Sequence, residues 1–209
     1  MCRVFITGST DGLGRAAAGV LIAEGHEVVL HARSRERAAA VADLALHAAG
    51  VVIGDLSSAA ETRVLADQVN DVGRMDAVIH NAGIYLEASR ATTAEGHAKT
   101  LAVNTLAPYL LTALIDRPDR LIYLSSGMHH QGTGSLRDID WIQRRWDAAT
   151  AYSESKLYVT ALALTLARLA GSPQQCRRSG LGSDQDGRRR GIRRPRYGVP
   201  HADMAGRQQ

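Results

Sequence analysis

The sequence predicts an α/β domain built on a doubly wound parallel sheet, and three observations carry that prediction. Short apolar segments alternate strictly with longer stretches of helical periodicity. The short segments lack the every-other-residue polarity of a half-solvated strand, so they read as strands buried on both faces, with helices above and below. The first strand runs into a glycine-rich turn, and right-handed crossovers then place a binding crevice at the C-terminal ends of the strands.

The elements follow in order. Residues 3–7 (Arg3-Val-Phe-Ile-Thr7) form the first strand, and a helix over about 13–24 closes at Gly25, a residue suited to the left-handed end of a helix. Val28-Val29-Leu30 is the second strand. Ser34 caps an Ala-rich helix with Glu36 and Arg37 in its first turn. Val51-Val52-Ile53 is the third strand, and Ser57 caps a helix ending near Val72. Ala77-Val78-Ile79 is the fourth strand, followed by a long helix over about 95–115. Leu121-Ile122-Tyr123-Leu124 is the fifth, and a last helix covers about 149–170 after a loop containing Gly and Trp. Beyond Ala170 the periodicity stops, so residues 1–170 read as the domain and 171–209 as an Arg-rich tail without a core of its own.

Composition narrows the function classes. A chain of 209 residues suffices for one α/β domain with a sizeable core. Two cysteines, Cys2 and Cys176, support neither a disulfide framework nor a zinc site, and they fit a reducing compartment. No apolar run reaches membrane-spanning length and Val4-Phe5-Ile6 is too short for a signal peptide, so the expectation is a cytoplasmic protein. The net charge of +4 divides unevenly: residues 171–209 carry nine Arg against three Asp, which leaves residues 1–170 slightly acidic. A nucleic-acid reading therefore rests on the tail alone, and with Tyr197 as its lone aromatic it ranks last.

Two motifs carry chemistry. The first turn reads Thr7-Gly8-Ser9-Thr10-Asp11-Gly12-Leu13-Gly14, where glycines let phosphates approach free N–H groups at a helix N-terminus. At the start of the last helix, Tyr152-Ser153-Glu154-Ser155-Lys156 places Tyr and Lys four residues apart on one helical face. An ammonium beside a phenol stabilises phenolate and makes it a usable acid or base near neutrality. Ser125 and Ser126 end the fifth strand on the same side of the sheet.

Together with Asp55-Leu56 after the third strand, Asn81-Ala82-Gly83 after the fourth and Asn104 in the long helix, these motifs make the chain resemble the short-chain dehydrogenase/reductase family over about residues 3–170. Its loop before Tyr152, with His129, His130, Trp141 and Trp146, looks most like retinol-dehydrogenase-like members. The resemblance implies a Rossmann-type sheet of strand order 3-2-1-4-5 and hydride exchange between a nicotinamide and an alcohol or carbonyl substrate. It implies Tyr152 as proton donor and acceptor, Lys156 as the group lowering its pKa and bonding the nicotinamide ribose, and Ser126 as the group orienting the substrate oxygen, with Ser125 structural. Asn104 would hold a water leading to Lys156, Asp55 with Leu56 would meet the adenine, and Asn81-Ala82-Gly83 would wall the adenosine ribose. Thr7, Gly8, Gly12, Leu13 and Gly14 would cradle the phosphates. The resemblance implies no metal, and a homodimer paired through the long and last helices.

Cofactor choice has a separate signal. An acid closing the second strand would favour NAD, but the sequence there is Leu30-His31-Ala32-Arg33-Ser34. Arg33 with Ser34, and Arg15 after Gly14, can meet a 2′-phosphate, so NADP(H) is expected over NAD(H).

The family continues past the last helix with a sixth and a seventh strand, and neither is legible in 171–209. A frameshift near 171–173 accounts for this: freely chosen codons for Gln174–Gly187, read one base later, can spell Ser-Asn-Ala-Val-Asp-Pro-Gly-Trp-Val-Pro-Thr-Lys-Met-Gly, a family-like continuation. The expectation is a reductase architecture with weak turnover in this chain. The alternative is a dinucleotide-binding remnant without catalysis.

Overall fold

β1 (Arg3–Ile6) lies at the centre of the sheet because everything in it after Arg3 is apolar and buried, with Phe5 and Ile6 wholly so. The computed structural model describes residues 1–170. Around β1 stand β2 (Glu27–Ala32), β3 (Gly50–Ile53), β4 (Ala77–His80) and β5 (Arg120–Tyr123), in the order β3-β2-β1-β4-β5. All four pairings are parallel, with Phe5 level with Val29 on one side and Val78 on the other.

Side chains alternate across this sheet and make two cores. Val4, Ile6, Val28 and Leu30 point to the face covered by α1 (Gly12–Ala23), α2 (Arg35–Ala39) and α3 (Ala42–Ala45), where Ala18 and Val41 meet them. Phe5, Val29, Val52 and Val78 point the other way, onto Leu65 and Val69 of α4 (Ala59–Val72) and onto Val103 and Leu111. Each such side chain, fully buried, is worth about 1.5–3 kcal/mol of transfer free energy. That two-sided burial is why the strands read as continuous apolar runs.

Two details depart from the sequence reading. The helix expected over 95–115 begins only at Lys99. It consists of α5 (Lys99–Leu101), a π-helical turn (Ala102–Leu106) and α6 (Ala107–Leu114). Residues 92–98 fold back instead, with Gly96 at φ +90° and a bridge from Thr92 to Ala98. Pro108 accounts for the π turn, since it has no N–H to offer the Asn104 carbonyl one turn back. Secondly, α4 is capped by Ser58, which accepts the Glu61 N–H at 3.2 Å, while Ser57 is bonded to Asp55 Oδ1. β5, unlike the central strands, is not buried on both faces: Ile122 is 42% exposed, and among the described residues β5 pairs with β4 alone.

α7 (Ala148–Ala170) closes the described chain and packs along the π turn and a short 3-10 turn at Gly127–Gln131. The expectations for 171–209, the Arg-rich tail and the loss of later strands, lie outside the described residues. Among the described residues no helix is long and apolar enough to cross a membrane, and no cluster of His, Cys, Asp and Glu could hold a metal ion.

Candidate active site

A groove of about 620 Å³ runs across the C-terminal ends of β1, β2, β3 and β4. The glycine turn forms its floor. Gly8 sits at φ +64°, and a Cβ on Gly14 would collide with the Gly8 carbonyl and the Asn81 amide. Only glycine permits this approach, which brings the first turn of α1 and its free N–H groups to the groove. Asn81 braces the turn from β4, its Nδ2 donating to the Thr7 and Gly8 carbonyls at 2.9 and 3.0 Å. Thr7 is buried beneath, its hydroxyl accepting the Asn81 and Ala82 N–H groups at 3.0 Å each. It ties β1 to β4 rather than lining the groove.

Of the other residues expected to bind cofactor, Gly12, Leu13 and Gly14 line the groove, as do Arg33, Asp55 and Leu56, and Asn81-Ala82-Gly83 form its far wall. Two stand elsewhere. The Arg15 guanidinium turns away to Asp43 of α3 at 2.6 Å, and the Ser34 hydroxyl is occupied as the α2 cap, accepting the Arg37 N–H. Sequence reasoning missed His31 and Arg37, both in the lining. Arg37 bonds Asp11 across the turn and reaches Thr10 Oγ1 at 3.4 Å. The legible signal was its place in the first turn of α2, which the Ser34 cap aims at the groove.

The second half of the site is carried by α7. Lys156 is 5% exposed, and its ammonium donates to the Leu124 carbonyl at 2.8 Å, just past β5. It stands 5.8 Å from the centre of the Tyr152 ring, and burial pushes its pKa below the ordinary lysine value. Tyr85, beyond the Asn81-Ala82-Gly83 wall, meets the Tyr152 ring edge to face at 4.7 Å. Ser125 bonds Thr160 Oγ1 at 2.6 Å, a strand-to-helix tie, whereas the Ser126 hydroxyl makes only a long contact, accepting the Met128 N–H at 3.3 Å. Asn104, in the π turn, spends its amide on protein partners. Its Oδ1 accepts the Ile84 N–H at 2.8 Å, and its Nδ2 donates to the Ile84 carbonyl and Ser155 Oγ at 3.0 Å each. Gly83 passes between Asn104 and Lys156: a Cβ there would lie 3.4 Å from both Asn104 Oδ1 and Lys156 Nζ.

The opposite side of α7 holds the loop that precedes it. Glu154 is 1% exposed and takes a two-pronged bond from Arg144, at 3.0 and 2.5 Å, plus the Thr133 hydroxyl at 2.7 Å. The Arg144 guanidinium lies 3.6 Å from the Trp141 ring centre, and Trp146 packs against Trp141. Asp138 accepts the N–H groups of Ile142, Gln143 and Arg144, closing the loop into a compact turn. The two Trp residues thus pin the loop, and His129 bonds back to the Ser126 carbonyl at 2.6 Å.

The chain is similar in sequence and fold to known proteins of one family. The family model described as short chain dehydrogenase matches residues 3–173. An uncharacterized oxidoreductase of Emericella nidulans is 46% identical over 178 residues, covering 84% of this chain and 67% of its own. Human retinol dehydrogenase 13 is 31% identical over 182 residues, covering 81% of this chain and 55% of its own. Among solved structures, an uncharacterized protein from Mycobacterium paratuberculosis superposes with a TM-score of 0.70 at 31% identity, over 83% of this chain and 65% of that one. A short-chain dehydrogenase from Sphingobium yanoikuyae in complex with NADPH shares the fold, with a TM-score of 0.62 at 23% identity over 84% of this chain and 68% of that one. The five-strand parallel sheet and the groove at its C-terminal ends define a Rossmann-type domain. The chain belongs to the short-chain dehydrogenase family, and it spans about two thirds of the fungal relative's length and about half of the human one's.

Proposed function

We propose that the chain is an NADP(H)-dependent oxidoreductase acting on an alcohol or carbonyl substrate, with Tyr152 as its acid and base. The observation that carries the cofactor choice is the pair Arg33 and Arg37 lining the groove beside β2, a strand that ends without a carboxylate. The residues present fit a dinucleotide, since glycine at 14 lets α1 pack against the Gly8 carbonyl and brings its free N–H groups to the groove, an approach that a Cβ would block. Gly12, Leu13 and the N–H groups of α1 would hold its phosphates, Asp55 and Leu56 its adenine, and Asn81-Ala82-Gly83 its adenosine ribose. When bound, the nicotinamide supplies or accepts the hydride.

The chain's own residues manage the proton and the geometry. Tyr152 gives its phenolic proton to a substrate carbonyl oxygen, or takes one from a hydroxyl. The Lys156 ammonium, fixed by the Leu124 carbonyl, favours negative charge on the phenol oxygen and would bond the nicotinamide ribose of a bound cofactor. The Ser126 hydroxyl, weakly engaged in the structure, is available to hold the substrate oxygen. Asn104 braces the Ile84 backbone against α7, which fixes the wall between groove and phenol.

The experiment is calorimetric titration with NADPH and NADH, followed by turnover of a panel of ketones and aldehydes. NADPH should bind at least tenfold more tightly, and equal affinities would overturn the cofactor assignment. Tyr152→Phe should lower turnover by about 10²–10⁴-fold with NADPH affinity kept, in line with the loss of a positioned acid.

The segment 171–209 is proposed to be the product of a frame change, a reading supported by the family match running out at residue 173. Turnover should then be weak in this chain and should rise at least 100-fold when the alternate frame is restored at 171–173. A gene whose shifted frame holds no family-like codons would sink the idea.

A further inference from the structure

The imidazole of His31 does more than fill space at the end of β2. It is 2% exposed and lies between the glycine turn and the end of β3, and it bonds both. Gly8 donates its N–H to Nδ1 at 2.8 Å, and Nε2 lies 2.8 Å from the Gly54 carbonyl. A carbonyl can only accept, so Nε2 carries the proton and Nδ1 keeps its lone pair for Gly8. The tautomer is fixed by its two neighbours. The His31 backbone adds a second tie to the same turn, its N–H donating to Ser9 Oγ at 2.8 Å while its carbonyl accepts the Ser9 N–H at 3.2 Å.

These bonds fall where the groove is tightest. Gly8 carries the left-handed φ of the turn, and a Cβ added to it would stand 3.0 Å from Ala82. The turn is thus held between Ala82 on the β4 side and His31 on the β2 side. Gly54 immediately precedes Asp55, on the adenosine end of the same groove. One neutral ring therefore sets the distance from the phosphate-facing glycines to the adenine-facing carboxylate. Arg33, Arg37 and Asp11 line the same groove, and burial keeps the imidazole below the ordinary histidine pKa and hence neutral, outweighing the Gly54 carbonyl and Asp55, which favour the charged ring.

We propose that His31 is a positioning residue for the dinucleotide, an imidazole strut braced at Nε2 on the end of β3 whose Nδ1 fixes the glycine turn at the Gly8 N–H. This rests on the dinucleotide-binding reading above. It follows that the two ring nitrogens have separable jobs. An Asn at 31 sets an amide oxygen near the Nδ1 position and can keep the Gly8 bond, whereas a Gln reaches toward the Nε2 position and can keep the Gly54 bond.

The test is titration of the full chain with NADPH for wild type, His31→Asn, His31→Gln and His31→Ala, with thermal melting of each ligand-free protein. His31→Asn should bind within about threefold of wild type, and His31→Gln and His31→Ala at least tenfold more weakly. The ligand-free melting points of the Asn and Gln variants should fall by similar amounts, so that affinity splits where stability does not. If either His31→Ala or His31→Gln keeps wild-type affinity, or if affinity merely tracks the melting point, the strut role is overturned. If wild type itself binds neither NADPH nor NADH, the dinucleotide reading falls and this proposal falls with it.

Discussion

His31 and His80 end neighbouring parts of the sheet, and both are held neutral because burial penalises the charged ring. For His80, buried against Tyr123 at 4.6 Å with Nδ1 unpartnered among the described residues, the pKa falls from 6.5 to about 3. The unfolded chain binds a proton below about pH 6.5 that the folded chain refuses, so stability is complete above that pH and declines as pH falls toward 3. The slope from His80 is about 1.4 kcal/mol per pH unit, and His31 acts in the same direction. Urea midpoints at pH 7 and pH 5 should differ accordingly, and a chain equally stable at both would refute the assignment. At the adenosine end, Arg37→Ala should weaken NADPH at least fivefold and leave NADH within twofold, as titration of both would show. These residues mark the limit of sequence reading. A glycine turn and a Tyr-x-x-x-Lys spacing are legible because their chemistry needs a fixed local order. His31 and Arg37 act across the fold, and a lone His in an apolar run, or an Arg in a helical first turn, carries no mark of its partner.

Elements were legible wherever periodicity and caps agreed. β1 to β4, α1 and α7 lie within a residue or two of where pattern places them, since burial on both sheet faces, or along a helix flank, writes itself into the apolar spacing. The helix expected over 95–115 forms from Lys99 to Leu114, its start delayed by the fold-back at Gly96 and its pitch altered ahead of Pro108. The Glu154–Arg144 pair was invisible in sequence, because a charged residue between Tyr152 and Lys156 reads as solvated until the preceding loop is laid over it. Its removal tests how firmly that loop is held. Arg144→Ala leaves a carboxylate that is 1% exposed without its cation and should cost about 3 kcal/mol in a denaturant melt. Arg144 keeps some solvent access, so the loss should sit toward the lower end of the range for buried pairs. A loss below 1 kcal/mol would mean the Trp141–Trp146 packing alone pins the loop.

Across the described residues, the groove and the Tyr152–Lys156 pair are divided by chain position. Every residue lining the groove lies at or before Val103, whereas Ser126, Tyr152 and Lys156 come after β5. NADPH at about 100 times its Kd should stabilise the fold by about 2.7 kcal/mol. Hydrogen exchange should show the added protection concentrated in β1, β2 and the glycine turn, with less on β5. Uniform protection would indicate that the two parts open together. The five-strand order was available in advance from the family resemblance, while the exposure of β5 depends on what lies beside it.

The π turn at Ala102–Leu106 gains a meaning from this division. One extra residue in a helix is a phase shift, turning everything after it by about 100° relative to what came before. On one side of the shift Asn104 grips Ile84 and Ser155, and on the other Leu111 fills the core under the sheet. A helix of regular pitch could aim one of those side chains correctly, and the other would be left facing the wrong neighbour. Deleting a single residue from 102–106 would therefore force a choice between the active-site wall and the core, and the chain keeps both by carrying one residue out of step.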